Sequence, residues 1–319
     1  MDKIIIDGMS FTLPLFIMAI GGICCERSGI TNLAVEGLSG MGAFTGALAA
    51  YIVVKQLGMG YAQAHVAALL FSMVGGMLLA MVHALMCIRF KANQVVSGVV
   101  INLLSQALTI FLVKTINSTA FGRPSDQIDL EVSTRFTVPG ISAIPVVGAF
   151  FRNVYPYEVF IILVSAVVWY LLYRTGFGLH LRASGDNPHA LDAAGVNVSV
   201  VRFKACMLSG ALCGIGGICF AYSISAQFSS DYYVGYGYLA IAALIFGNWN
   251  FMPTLAACLI FGFSRSLGYQ AVQWAQLPSA WSDLIMILPY AMTLLLLVFF
   301  SKTNHAPRAL GVIYDKSER

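Results

Sequence analysis

The sequence predicts an all-α fold, a polytopic transmembrane helix bundle of roughly 8–10 spans with one short helix on a cytoplasmic loop. Three observations predict it. The 319 residues are 59% apolar and only 10% charged, with a mean hydropathy of +0.81, whereas a soluble domain carries about 25% charged residues. The apolar residues gather into nine runs, most of them near the about 20 residues that a spanning helix needs. The basic residues gather between the runs and are biased to one side. No break in composition marks off a soluble domain, so residues 1–319 read as a single membrane domain.

The runs lie at 4–25, 36–55, 62–88, 94–116, 157–173, 203–224, 235–247, 251–271 and 283–300. The first is preceded by MDKIIIDGMSF, which has no basic flank. No clear small-residue cleavage site follows before Glu26-Arg27, so the run reads as an uncleaved span and not as a signal peptide. The run at 235–247 is short for a full crossing. It either crosses or is broken and re-entrant, and a re-entrant path needs protein or water to shield its backbone. With all nine runs crossing and the C-terminus inside, Arg27, Arg89, Lys91, Arg174, Arg182, Arg202, Lys204, Lys302, Arg308, Lys316 and Arg319 fall inside. That is eleven of the eighteen basic residues, as the positive-inside bias requires. The N-terminus is then outside. The outer loop 117–156 contains Pro124, Pro139 and Pro145. It is too long for a bare connector and is expected to carry a short re-entrant or surface helix.

The inner loop 174–204 is the only long polar stretch that is basic at both ends and lies between two apolar runs. Its centre carries both signals of a short helix. Asn187 can cap the N-terminus by accepting a free backbone N–H, and Pro188 suits the first helical position. Ala190, Leu191, Ala193 and Ala194 favour helix, with Asp192 among them. Gly195 can close it in the left-handed conformation. Two turns are too few to be stable alone, so this helix either lies on the protein's own surface or is gripped by a partner.

Within the spans, small residues recur every four positions: Ser39, Ala43 and Ala47; Gly42 and Gly46; Ser72, Gly76 and Ala80; Ser209, Cys213 and Gly217; Gly210 and Gly214. Such spacing lets helix backbones approach closely in a membrane. The seven cysteines lie in or at the ends of apolar runs without a C-x-x-C pair and read as small core hydrophobes. Gly98, Asn102, Ser105 and Thr109 share a helical face, with Gln94 and Gln106 nearby. That face points into the bundle, either to bond neighbouring helices or to line a path for an uncharged polar solute. Tyr222, Gln227, Tyr232, Tyr233, Tyr236 and Tyr238 cluster at an outer end, as an interfacial belt or as a stacking surface for a ring-bearing solute. Full charges are scarce mid-span, where each costs about 2.5–3.5 kcal/mol on insertion scales. Arg265 is the exception, and the scarcity weakens an ion-coupled secondary carrier. No G-x-x-x-x-G-K-[ST], G-x-S-x-G or H-E-x-x-H motif occurs, so nothing points to an enzyme or to a phosphate cradle in this chain. The five histidines have no metal-ligand spacing, and no cofactor is implied.

Five blocks carry a resemblance: ERSGITNLAVEGLSGMGAF (Glu26–Phe44), KANQVVSGVVINLLSQALT (Lys91–Thr109), GLHLRASGDNPHALDAAGVNVSVVRFKACMLSGALCGIGG (Gly178–Gly217), LAIAALIFGNWN (Leu239–Asn250) and APRALGVIYDKSER (Ala306–Arg319). In order and over nearly the whole chain, they resemble the membrane permeases of bacterial ABC importers. The similarity is greatest to the shorter of two paired permeases in nucleoside importers. Relatives for simple sugars and branched-chain amino acids are more distant. The resemblance implies a permease subunit, without an ATPase site of its own, that moves nucleosides, purine nucleosides foremost, across the bacterial cytoplasmic membrane. A simple sugar, a riboflavin-like solute or a branched-chain amino acid is the alternative. It implies an ABC ATPase with two fused cassettes, a second paralogous permease and an extracytoplasmic substrate-binding lipoprotein as partners, and no nucleic acid. It makes Asn187, Pro188, Ala190, Leu191, Asp192, Ala193, Ala194 and Gly195 the helix that docks on the ATPase, with Asp192 where the family pattern often has Glu. Glu26, Asn32 and Glu36 would then be structural or gating residues. Gln94, Asn102, Ser105, Gln106 and Thr109 would line the path.

Overall fold

The computed structural model describes residues 2–122, 125–130, 135–140, 142, 147–229, 234–276, 278, 281, 287–288, 290–292, 295 and 305–316. Most of the ninth apolar run, 283–300, lies outside the described residues, as do Tyr232 and Tyr233. Among the described residues, seven helices are long and apolar enough to cross a membrane. They are α1 (Asp2–Glu26), α2 (Val35–Tyr51), α3 (Tyr61–Ala84), α4 (Gln94–Thr119), α5 (Pro156–Arg174), α8 (Val198–Ile224) and α10 (Phe251–Trp274). A π-helical turn extends α2 over Ile52–Gln56, and another extends α3 over Leu85–Arg89. Between α5 and α8 lie α6 (Gly176–Asp186) and α7 (Pro188–Ala193), and before α10 lies α9 (Tyr236–Phe246). The two-residue strands β1 (Ile128–Asp129) and β2 (Gln227–Phe228) pair antiparallel.

The stripes of small residues decide the packing. Helix α8, buried along nearly its whole length, lies against α1, α2 and α3. A Cβ on Gly42 would sit 2.2 Å from Gly214 Cα, one on Gly76 2.0 Å from the Gly210 carbonyl, and one on Gly217 2.0 Å from the Ser39 carbonyl. Backbone therefore meets backbone at three crossings, which only glycine permits. The peripheral helices leave apolar faces uncovered, with Leu70, Phe71 and Leu78 on α3, Leu103 and Phe111 on α4, and Leu163 and Val167 on α5 all more than half exposed. A bilayer or a partner helix covers such faces at no desolvation cost. All seven cysteines are buried and free.

The bundle has two unlike ends. One carries β1, β2 and the start of α1, where Arg152 bonds Asp2 at 2.6 Å. The other carries α6, α7, the α1–α2 turn and the C-terminal segment 305–316. Among the described residues, the long loop 117–156, expected to carry a surface or re-entrant helix, holds β1 and a 3-10 turn over Val147–Phe151. Helix α9 accounts for the short run at 235–247. Its 11 residues span about 16 Å, half of a hydrocarbon core of about 30 Å. Tyr236 stacks on Phe220, and Trp249, just beyond the helix, bonds Glu26 at the end of α1. So α9 runs beside the second half of α1 and begins deep in the bundle.

Adding a methyl at a backbone crossing forces the helices apart, typically at about 1–3 kcal/mol. Gly214→Ala, whose Cβ would lie 2.1 Å from the Ser72 carbonyl, is expected to lower the thermal midpoint of the detergent-solubilised protein by several degrees. Gly176→Ala, with nothing within 4 Å, should leave it unchanged. Equal midpoints for the two variants would contradict this packing.

Candidate functional site

The loop end of the bundle is built on a turn that leaves helix inside the protein. After Glu26 the chain turns, and residues 29–34 climb back as irregular backbone before α2 starts at Val35. Buried backbone groups without partners are expensive, and here side chains from distant helices supply them. The Thr31 N–H donates to Gln94 Oε1 at 2.7 Å, the Leu33 carbonyl accepts from Asn102 Nδ2 at 2.8 Å, and the Gly37 N–H donates to Asn102 Oδ1 at 2.8 Å. The Ser105 hydroxyl donates to the Gly37 carbonyl at 2.6 Å. Asn32 donates to Ser209 on α8 at 2.9 Å, and its own N–H faces Glu26 Oε1 at 3.4 Å.

Three of the five residues proposed for a path, Gln94, Asn102 and Ser105, thus tie α4 to the broken segment. Thr109 donates to carbonyls one turn back in its own helix. Gln106 is half-buried beside them, and its side-chain amide makes no hydrogen bond to another described residue. The cluster reaches the edge of the bundle through Tyr238, 46% exposed, whose hydroxyl meets Asn102 Nδ2 at 3.1 Å. Tyr238 belongs to the first turn of α9. That turn starts at Gly235, with φ +95°, whose N–H donates to Glu36 Oε2 at 2.8 Å. A Cβ on Gly237 would lie 2.4 Å from Glu36 Cα. The N-termini of α2 and α9 therefore meet inside the bundle, with a carboxylate placed where both helix dipoles favour it.

The α9–α10 turn closes on the same hub. Asn248 and Trp249 both have positive φ, 51° and 53°, a conformation costing roughly 1–3 kcal/mol for each non-glycine residue. Arg27 holds them by donating to the Trp249 carbonyl at 2.9 Å and to Asn250 Oδ1 at 2.8 Å, while Trp249 Nε1 donates to the buried Glu26 at 2.5 Å.

Helix α7 has the caps read from its residues. Asn187 Oδ1 accepts from the Ala190 N–H at 3.0 Å, Pro188 opens the helix, and Gly195 follows with φ +81°. His189, Ala190, Ala193 and Ala194 are exposed, while Pro188 and Leu191 are buried. The preceding helix α6 was not read from the sequence and packs on α5 and α8. The C-terminal segment crosses this surface. The Ala309 N–H donates to the Gly185 carbonyl at 2.7 Å and the Gly311 N–H to Gly29 at 3.1 Å. Lys316 lies 3.5 Å from Asp192, Lys91 pairs with Asp315, and His189 packs on Tyr314. Arg202, 2% exposed, gathers the pieces by donating to the Ser28 carbonyl at 3.1 Å, the Ser184 carbonyl at 3.3 Å and the Val312 carbonyl at 3.2 Å. A cavity of about 570 Å³ remains between Arg89, Asp192, Asn197 and Tyr314.

Sequence reasoning missed Arg27, Trp249, Asn250 and Arg202 as members of these sites, and it put Tyr238 in an outer tyrosine cluster and not beside Asn102. The charges at 27 and 202 sit at predicted span ends, where the positive-inside bias explains them without any partner.

A family described as branched-chain amino acid transport system / permease component matches residues 4–297. The chain is 37% identical over 313 residues to the guanosine ABC transporter permease protein NupQ of Bacillus subtilis, covering 97% of this chain and 95% of that one. It is 34% identical over 316 residues to the nucleoside ABC transporter permease protein NupC of Lactococcus lactis subsp. cremoris, covering 99% and 97%. A putative glucose ABC transporter permease protein, TsgC13 of Haloferax volcanii, is 32% identical over 256 residues, covering 79% and 73%. No solved structure matches. With seven candidate spans and a family match over most of its length, the chain is a multi-pass membrane protein that belongs to the branched-chain amino acid transport system permease component family.

Proposed function

We propose that this chain is the membrane permease subunit of an ABC importer for nucleosides, purine nucleosides foremost. The observation that carries the solute class is that two relatives, 34–37% identical and matched over nearly the whole of both chains, are named for nucleosides. The glucose permease relative keeps a simple sugar as the second reading. Residues 1–319 act as one permease domain with the C-terminus in the cytoplasm, and ATP is hydrolysed on a partner subunit. An ATPase with two fused cassettes, a second paralogous permease and an outer binding lipoprotein complete the importer. The second permease covers the exposed wall of α4 and closes the polar edge formed by Asn102, Gln106 and Tyr238 into a path.

The geometry supports a route for the work done by ATP. The ATPase grips the exposed face of α7, capped by Asn187 and Gly195. Displacement of α7 and the adjoining end of α6 bears on Ser184, whose hydroxyl donates to the Ser28 carbonyl at 2.9 Å, and on Arg202. Ser28 belongs to the turn that feeds the irregular segment 29–34, and that segment is held by Asn102 beside the N-terminus of α9. Moving the turn therefore moves the polar junction. A broken helix tolerates such a shift better than a continuous one, because its bonds run through side chains that can rotate.

Cells expressing the complete importer are expected to take up labelled guanosine. Uptake should stop on ATP depletion and persist when the ion gradient alone is collapsed. The reverse pattern would identify an ion-coupled carrier and end the importer reading, and labelled glucose in place of guanosine would favour the sugar.

Valine at Gly195 must adopt a left-handed backbone at about 1–2 kcal/mol. Gly195→Val should leave ATP hydrolysis running while uptake per ATP falls several-fold. Coupling equal to wild type would remove α7 from the docking role.

Gln106→Ala leaves the backbone bonds of the junction intact and is expected to change the KM or rate of uptake without loss of assembled complex. Asn102→Ala strips two backbone groups of their partner and should in addition lower stability, by about 1–3 kcal/mol for each group left unsatisfied. Wild-type kinetics in Gln106→Ala would take that residue off the path.

A further inference from the structure

At the ribbon end of the bundle, α1, α8 and α10 enclose a second cavity of about 380 Å³. Its mouth is formed by exposed Asp7, Arg135 and Gln273, and its interior by buried Ser10, Phe11 and Gln270. Arg265 lines the same space. Its guanidinium lies 4.3 Å from the centre of the Phe11 ring and 5.5 Å from those of Tyr236 and Tyr269. Among the described residues no carboxylate comes within ion-pair distance of it. A mid-span arginine with no counter-ion among the described residues, held by three aromatic rings at the edge of a polar cavity, can turn its donors to a guest.

We propose that this cavity is a landing subsite of the permease for a nucleoside, on the side where the solute enters. The inference rests on the nucleoside reading above and adds a place to it. A nucleobase is planar and carries hydrogen-bond acceptors on its edge. A guanidinium can stack on the base plane or donate to its edge, and does so better than an ammonium. Tyr269 offers a second ring, and Gln270, Gln273 and Ser223 offer amide and hydroxyl groups to the base edge and ribose. The volume suits a molecule of nucleoside size, near the small end of ligand pockets at about 300–1,000 Å³. The floor is polar as well, since the Ser10 hydroxyl donates to buried Glu158 at 2.7 Å. Arg265 was visible in the sequence as the single mid-span charge, but Phe11, Tyr236 and Tyr269 come from three separate helices.

The test uses the permease–ATPase assembly in lipid nanodiscs, free of the outer binding protein, with tritiated guanosine as probe and inorganic phosphate as competitor. Wild type should bind guanosine. Arg265→Lys, which keeps the charge but loses the plane, should raise the Kd at least about tenfold, and Gln273→Ala, at the exposed mouth, should raise it several-fold. Guanosine uptake by cells, measured in parallel, tests the function separately. Both variants should raise the KM of uptake more than they lower its saturated rate. No binding to wild type, or equal binding by both variants, overturns the subsite even where uptake is intact. Displacement by phosphate with Arg265-dependent phosphate binding overturns the nucleoside as guest in favour of an anion.

Discussion

Inside a bilayer every backbone N–H and C=O needs a protein partner wherever the helix ladder stops, and among the described residues it stops twice in the middle of the bundle. Residues 29–34 return from the α1–α2 turn without helix, and α9 begins halfway through. The side chains that make this possible come from α1, α4 and α8: Glu26, Gln94, Asn102, Ser105 and Ser209. Glu36 serves the start of α9 in the same way. The rest of the arrangement follows. Helix α4, otherwise mostly exposed, is held by polar bonds to α2, and the α9–α10 turn is held in a strained conformation by Arg27. The glycine crossings bring α8 close enough for Ser209 to reach Asn32.

This constraint also explains why most of the side chains that serve the breaks are uncharged amides and hydroxyls, Gln94, Asn102, Ser105 and Ser209, while the carboxylates of Glu26 and Glu36 sit at helix ends. Asn, Gln and Ser can bond backbone groups in either direction at a smaller desolvation cost than a full charge. An uncharged polar solute meets the same chemistry. The junction of broken helices is mechanically linked to the loop end through few contacts: Ser184 to Ser28, Arg202 to three carbonyls, and the C-terminal segment across both. Under the proposed function, a permease driven by hydrolysis on a partner subunit needs such a short connection between its docking surface and its path.

Much of this was legible in the chain. Composition and run length gave the bundle and seven of the nine runs to within about five residues of their helices. Local cap chemistry gave α7 down to Asn187, Pro188 and Gly195, because caps depend on immediate neighbours. The stripes through Gly42, Gly76 and Gly214 marked the crossings, though not which stripe meets which. Helix α6 was missed because GFGLHLRASGD mixes glycine, histidine and arginine with leucine at 179 and 181, and its helix depends on packing against α5 and α8. The roles of Gln94 and Asn102 at the break were read only as a polar face, since their partners lie 63 to 69 residues away. The short run at 235–247 announced its length, but only Phe220 and Glu36 fix its depth. The cage around Arg265 is likewise a property of the assembled fold.

In the proposed importer, the exposed face of α7 is held by an ATPase whose motion reaches the broken helices. The most direct test places a photo-activated cross-linking residue at His189, exposed on that face. The full chain is irradiated in its native membrane, and the captured protein is identified by mass spectrometry. A protein with ATP-binding cassettes is expected, captured in larger amount when ATP turnover is blocked. Cross-links to lipid alone, or only to a second copy of the chain, would contradict it.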